Sequence, residues 1–204
     1  MAGNLIIISA PSGTGKTTLV KEIQQRLHDI RASISYTSRP ARTDEVNGKH
    51  YQFVTRQKFK YMITGEEFLE WAEVHGNLYG TSRETVQQML NEGMDVILTI
   101  DVQGAAKTRR IFPDAISIFV LPPSYDALAE RLDKRGSTQA EDLRLRMGNA
   151  QRELMQYVEY DYLIINDELE YAVREFEAII VAARCRRTRR AETAEFMLKS
   201  FRLD

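Results

Sequence analysis

The sequence predicts a doubly wound α/β fold, with helices covering both faces of a parallel sheet. Three observations predict it. Largely apolar runs recur at residues 5–8, 96–100, 116–121 and 163–165, each too short for a helix and bounded by turn-forming residues, as the strands of a parallel sheet are. Segments with apolar residues at helical spacing lie between the runs. Lys16, Asp101 and Asn166 all fall at the carboxyl ends of runs, where open sheets of this kind bind ligands.

The first run leads into Ala10-Pro11-Ser12-Gly13-Thr14-Gly15-Lys16-Thr17, and Leu19, Val20, Ile23 and Leu27 follow at the spacing of one helix face. Strand, glycine-rich loop and helix in that order form the context of a phosphate-binding loop and predict a P-loop NTPase core. Gly13 and Gly15 let backbone N–H groups turn inward on a polyphosphate, and the helix N-terminus adds the positive end of its dipole. Lys16 can reach the β- and γ-phosphates of ATP, and the Thr17 hydroxyl can ligate Mg²⁺. The candidate ATP-binding set therefore runs from Ala10 through Thr17 to Thr18. Where the general pattern starts with glycine this chain has Ala10, whose Cβ calls for an ordinary negative φ. A plain glycine-rich turn would leave Lys16 unexplained.

Residues 30–35 read as a short strand entering a polar stretch, where Pro40 blocks continuation. Residues 51–54 resume an extended pattern, and Thr55 caps a short helix whose inner face is Phe59, Met62 and Ile63. Residues 68–74 read as another strand and 76–80 as a turn. The segment 35–82 is thus expected to be a small α+β lobe inserted into a core made of residues 1–34, 83–128 and 158–204. Thr85, Val86, Met89 and Leu90 mark a helix ended by Gly93, after which the run 96–100 delivers Asp101. Pro122-Pro123 stops the third core strand. Ser124 caps a helix running to Arg135, residues 136–139 turn, and a long helix follows to about Tyr157. After the strand at 163–165 come Asn166-Asp167, and the final helix carries Val173, Phe176, Ile179, Ile180 and Ala183 at helical spacing.

Composition narrows the function classes. With 204 residues, 43% hydrophobic and 28% charged, the chain reads as one globular domain. A net charge of −1 gives no pull toward nucleic acid or an anionic membrane surface. Arg184, Arg186, Arg187, Arg189 and Arg190 form one local basic run without interleaved aromatics; it reads as solvated helix surface or as a homo-oligomer contact. The single Cys185 excludes an intrachain disulfide and suits a reducing compartment. No apolar run approaches the roughly 18 residues of a membrane span, and no basic region precedes the first one as in a signal peptide, so the expected location is cytoplasmic. His28, His50 and His75 are scattered through polar stretches without metal-ligand spacing and read as surface residues.

The inserted lobe has the makings of an anion clamp: Arg39 and Arg42 flank Pro40, with Tyr51, Tyr79 and Thr81 in the same segment. Solvated loop charge is the plain alternative for such a pair. It weakens because Glu70 lies within the apolar pattern Phe68-Leu69-Glu70-Trp71-Ala72, and a half-buried carboxylate needs a partner. A guanine edge supplies two parallel donors, whereas adenine presents an acceptor at N1.

Ser35-x-x-x-Arg39-Pro40-x-Arg42, Glu45-Val46-x-Gly48-x-x-Tyr51-x-Phe53, Phe68-x-Glu70-x-Ala72 and Gly76-Asn77-x-Tyr79-Gly80-Thr81 together resemble the guanylate kinase family. The phosphate loop beginning at Ala10 is that family's form. The likeness continues through Ile100-Asp101-x-Gln103-Gly104, Arg131-Leu132-x-x-Arg135-Gly136, Arg146 and Asn166-Asp167, in unbroken order over roughly residues 4–185. The resemblance implies a GMP-binding lobe at 35–82 and a helical lid at 129–157. It implies that Ser35, Glu70, Thr81 and Asp101 meet guanine, and that Arg39, Arg42, Tyr51 and Tyr79 hold the GMP phosphate. It puts Lys16 and Thr17 at the ATP phosphates and Mg²⁺, Asn166 near adenine, and Arg131, Arg135 and Arg146 on the lid, with Lys16, Arg39, Arg135 and Arg146 as the catalytic cations. One position departs from the family, where a carboxylate is common two residues before Asp101 and this chain has Thr99.

The implied activity is phosphoryl transfer from ATP to GMP. Guanylate-kinase-like domains also occur as catalytically silent protein-binding modules, usually with degraded phosphate loops; here Gly13, Gly15, Lys16 and Thr17 are intact. A GTP-driven switch is disfavoured because Asn166-Asp167 lacks the N-K-x-D pattern expected to read guanine there.

Overall fold

Parallel pairing of five strands forms the centre of the molecule, which is seen in a computed structural model that describes residues 2–74, 76–134 and 140–201. The order is β2 (Ile30–Ala32), β7 (Asp95–Thr99), β1 (Leu5–Ser9), β8 (Ile116–Leu121), β9 (Tyr162–Ile165), and every pair is parallel. Strand β1 is buried along its whole length because it serves two cores. Ile6 and Ile8 face helices α1 (Lys16–Arg26) and α7 (Leu169–Arg184) through Leu19, Ile23, Phe176 and Ile180. Leu5 and Ile7 face α3 (Arg83–Asn91) and α4 (Val102–Ile111) through Val86, Leu90 and Ala105. Apolar residues on consecutive positions are what this two-faced burial requires.

A second sheet has the order β4 (Gln52–Phe53), β3 (Tyr36–Thr37), β6 (Asn77–Ser82), β5 (Phe68–Val74). Helix α2 (Arg56–Thr64) packs Phe59 and Met62 against Phe68 and Leu78, and the Thr55 hydroxyl accepts from Lys58 N. Helices α5 (Tyr125–Asp133) and α6 (Ala140–Leu154) pack on each other through Leu128, Leu132, Met147 and Ala150, and a 3-10 turn follows at Met155–Glu159. Helix α8 (Arg187–Ser200) buries none of its residues.

Four sequence expectations change. The strand read at 30–35 ends at Ala32, and the chain crosses to the other sheet before β3. Residues 77–80, read as part of a turn, belong to β6, since pairing with β3 and β5 overrides their turn-like composition. Helix α4 was not foreseen; Asp101 starts it, its carboxylate accepting from Gly104 N at 2.9 Å. The chain's last helix is α8 rather than α7, so the basic run spans a break at Cys185 and Arg186. Arg135 and the turn at 136–139 lie outside the described residues.

That break explains part of the basic run in structural terms. Arg184 donates to Asp95 Oδ2 at 2.7 Å and to His28 O at 2.7 Å, while Asn4 donates to Asp95 Oδ1 from both its backbone and its amide. Arg189 reaches Ala2 O at 2.8 Å. These two arginines clamp the amino-terminal edge of the sheet rather than sitting in solvent. Arg184→Ala strips one partner from a buried carboxylate and should cost about 1–3 kcal/mol in urea unfolding, since Asp95 keeps its bonds to Asn4.

Candidate active site

The phosphate loop hangs between β1 and α1. Gly13 and Gly15 both have φ of 91°, a left-handed conformation that disfavours a side chain, whereas Ala10 is not among the residues of positive φ. The loop is braced from within by Thr14, whose hydroxyl donates to Pro11 O at 2.9 Å. It is braced from outside by buried Asn166, which donates from Nδ2 to Thr14 O at 2.6 Å. Arg131 donates to Asn166 O at 3.0 Å, so Arg131 and Asn166 join on the outer side of the loop. Ser12, Thr17 and Thr18 are exposed at its mouth. Lys16 makes one long contact, 3.5 Å from Nζ to Ile100 O, and Ser9 Oγ donates to the same carbonyl at 2.9 Å. Burial pulls the Lys16 pKa below its ordinary value, with Glu153 and then Asp101 opposing.

Between the two sheets lies a cleft of about 160 Å³ lined by Lys16, Ser35, Tyr51, Glu70, Tyr79, Thr99 and Asp101 among others. Glu70 comes from β5 and is only 5% exposed. Thr81 on β6, its register partner, donates its hydroxyl to Glu70 Oε1 at 2.6 Å. Burial pushes the Glu70 carboxyl up to about 7, against the Thr81 hydrogen bond that holds it down. The other oxygen lies over α4: a Cβ built on Gly104 would stand 2.5 Å from Glu70 Oε2. The Tyr51 and Tyr79 rings meet edge to face, centroids 5.9 Å apart.

Not every candidate enters this cleft. Arg39 spends its fork on Glu45, with bonds of 2.9 and 2.7 Å, and lies 5.5 Å from the Tyr51 ring centroid. The pair holds the Glu45 carboxyl down to about 2 and the Arg39 guanidinium above its ordinary value. Arg42 is exposed, and its backbone N–H donates to Glu45 Oε2 at 2.8 Å. Arg146 is half-buried on α6 and is not among the residues that line the cleft.

Three contributors escaped the reading of residue types. Glu45 takes both arms of the Arg39 fork and the Arg42 backbone N–H; the sequence showed it only as part of a family-like stretch, with no partner assigned to it. Gly104 leaves room for Glu70, signalled by an aspartate three residues before a glycine, a helix-capping pattern. Glu153 on α6 faces Lys16 and Asp101 electrostatically, and its only signal was the helical interval from Ala150.

Comparison with known proteins fits this geometry. The family model described as Guanylate kinase matches residues 2–183. The guanylate kinase of Neisseria gonorrhoeae is 48% identical over 187 residues, covering 92% of this chain and 91% of that protein. That of Pseudomonas fluorescens is 52% identical over 180 residues, covering 88% and 87%. The crystal structure of guanylate kinase from Anaplasma phagocytophilum superposes with a TM-score of 0.76 at 32% identity, covering 92% of this chain and 89% of that one.

Proposed function

The chain belongs to the guanylate kinase family, and from that premise we infer that it transfers the γ-phosphoryl group of ATP to GMP, giving ADP and GDP. One observation carries the assignment of parts: Lys16 of the phosphate loop and the buried Glu70, held by Thr81 from behind, line one cleft between the two sheets. In this reading residues 35–82 form the GMP lobe and residues 129–157 the lid.

Guanine enters with its N1–H and amine toward Glu70, while Thr81, Ser35 and Asp101 complete the base site. The GMP phosphate sits with Tyr51, Tyr79, Arg39 and Arg42, and the guanidinium of Arg39 is already oriented by Glu45. The donor phosphates lie along the loop from Ala10 to Thr18 and reach Lys16. The acceptor is an ionised phosphate oxygen, so no general base is required. Catalysis then consists of alignment and neutralisation of the moving group by Lys16 and by arginines of the lobe and lid, Arg39, Arg135 and Arg146.

The residues present fit Mg²⁺. Among the described residues no group of three or more His, Cys, Asp or Glu side chains could cage a metal. Mg²⁺ commonly keeps its waters and takes substrate phosphate oxygens with few protein ligands. The exposed Thr17 hydroxyl beside Lys16 would hold it, and when bound it supplies charge neutralisation to the phosphates. Thr99 lines the cleft without adding charge. A cytoplasmic setting and a part in purine nucleotide supply accompany this reading; among the described residues no helix is long and apolar enough to cross a membrane.

ADP release from ATP and Mg²⁺ with GMP, AMP, UMP or CMP tests the assignment. Turnover should be fastest with GMP; equal rates for all four would refute it. Gly104→Ala probes the fit of the base site, because its Cβ displaces Glu70. The KM for GMP should rise about 10- to 100-fold. An unchanged value would mean that Glu70 can shift without loss.

A further inference from the structure

We propose that Lys107 is a positioning residue for the base site, clasping strand β5 to helix α4 so that Glu70 is held toward guanine. The inference rests on the guanylate kinase reading of the cleft and names what holds that site together. In that reading the base is met from two sheets: Glu70 comes from β5 in the second, and Asp101 starts α4, which packs on the first. Strand β5 is the edge of its sheet and pairs with β6 alone. Helix α4, rather than a further strand, packs against it.

Helix α4 meets β5 at two points one turn apart. At the first, Gly104 leaves the space beside Glu70 Oε2. At the second, Lys107 donates from Nζ to Trp71 O at 2.5 Å, and the same ammonium lies 4.9 Å from the Trp71 ring centroid. Positions 104 and 107 are neighbours on one helix face, so the cation grips the residue next to Glu70 while the glycine receives its side chain. Arg83, at the start of α3, donates to Phe68 O at 3.3 Å. Glu70 thus stands between two main-chain carbonyls, each held by a cation from a helix of the first sheet, and the Lys107 bond is the shorter. A groove of about 460 Å³ is lined by Glu70, Trp71, Arg83 and Lys107 among others, and Glu70 lines the cleft as well.

An exposed helix lysine ordinarily gives its charge to water or to a nearby carboxylate. Among the described residues Lys107 forms no ion pair; a carbonyl and an indole face take its ammonium instead. Its charge also reaches Glu70. Burial pushes that carboxyl up and Asp101 adds to the rise, while the Thr81 bond and the Lys107 charge hold it down. Lys107 therefore supports both the place of Glu70 and the ionised form that guanine's donors require.

Lys107→Met keeps the stem and removes donor and charge, whereas Lys107→Arg keeps both. With GMP varied at saturating ATP, Lys107→Met should raise the KM about 5- to 20-fold and leave kcat within about twofold. The rise is limited because Thr81 still holds one Glu70 oxygen. Lys107→Arg should recover most of it. In a Glu70→Gln background, Lys107→Met should change kcat/KM by less than about twofold, since Lys107 acts through that carboxylate. Trp71 is the chain's single tryptophan, so acrylamide quenching of its emission reads the clasp without turnover. Quenching should rise in Lys107→Met and fall back in Lys107→Arg. A KM within twofold of the parent, a fall in kcat as large as the rise in KM, full additivity with Glu70→Gln, or quenching unmoved by Lys107→Met would overturn the inference. If the parent itself makes no GDP, the guanylate kinase reading fails and takes this inference with it; an active parent with an indifferent Lys107→Met condemns the inference alone.

Discussion

Lys16→Met should leave GMP binding close to the parent value and lower turnover by about 10²–10³-fold or more. The two effects separate because the proposed GMP site draws mainly on the second sheet, whereas Lys16 begins α1 on the first. Methionine spans nearly the same length without the charge, so the loop can keep its bracing by Thr14 and Asn166. What disappears is the cation that the proposed reading sets at the β- and γ-phosphates, in a site where burial makes each charge count more than it would in water. Steady-state rates with saturating ATP and GMP, together with GMP titration, measure the two quantities. Loss of GMP binding in parallel with turnover would show that Lys16 supports the lobe rather than the transferring group.

Glu70→Gln should raise the KM for GMP sharply and compress the GMP to AMP preference, which a buried pairing of this type can set at about 10⁴-fold. Glutamine offers one acceptor where the carboxylate offers two, and its amide donor faces guanine donors. Proton linkage provides an independent signature. The Glu70 carboxyl sits at about 7 through burial, and guanine's donors require the ionised form. GMP binding should therefore weaken as pH falls below about 7, by up to tenfold per pH unit. The phosphate of GMP titrates in both chains, so the contribution of Glu70 is the part that vanishes in Glu70→Gln. Stability carries the opposite sign. A carboxyl raised in the folded chain favours folding below its unfolded pKa and loses that advantage as pH rises through about 7. Relative to the parent, Glu70→Gln should thus gain stability between pH 5 and pH 8 in thermal unfolding. Identical pH profiles in the two chains would remove Glu70 from the base site.

Much of the sheet was legible because its signals are local. Buried parallel strands announce themselves as short, largely apolar runs, and the phosphate loop is one contiguous stretch. What was not legible depends on contacts distant in sequence. Residues 77–80 look like a turn because glycine and asparagine bracket them, yet β3 and β5 make them a strand. Helix α4 was hidden because Asp101 drew attention as a ligand-binding residue, although the same carboxylate caps the helix. In the site, residue types pointed to Lys16 and Glu70, but not to the bidentate Arg39–Glu45 bond or the space that Gly104 leaves. Those are facts of packing. The basic run shows the same limit: its composition says surface, while the break between α7 and α8 sends Arg184 into a buried network with Asp95.

The central claim is that one cleft passes a phosphoryl group directly from ATP to GMP. ATP labelled at the γ-phosphate, incubated with GMP and Mg²⁺ and resolved by chromatography, tests it most directly. The account predicts that the label moves to the β-phosphate of GDP, with little released as inorganic phosphate and transfer by Lys16→Met lower by about 10²-fold or more over the same time. Label appearing chiefly as inorganic phosphate, or in ADP formed from AMP as readily as in GDP, would contradict it.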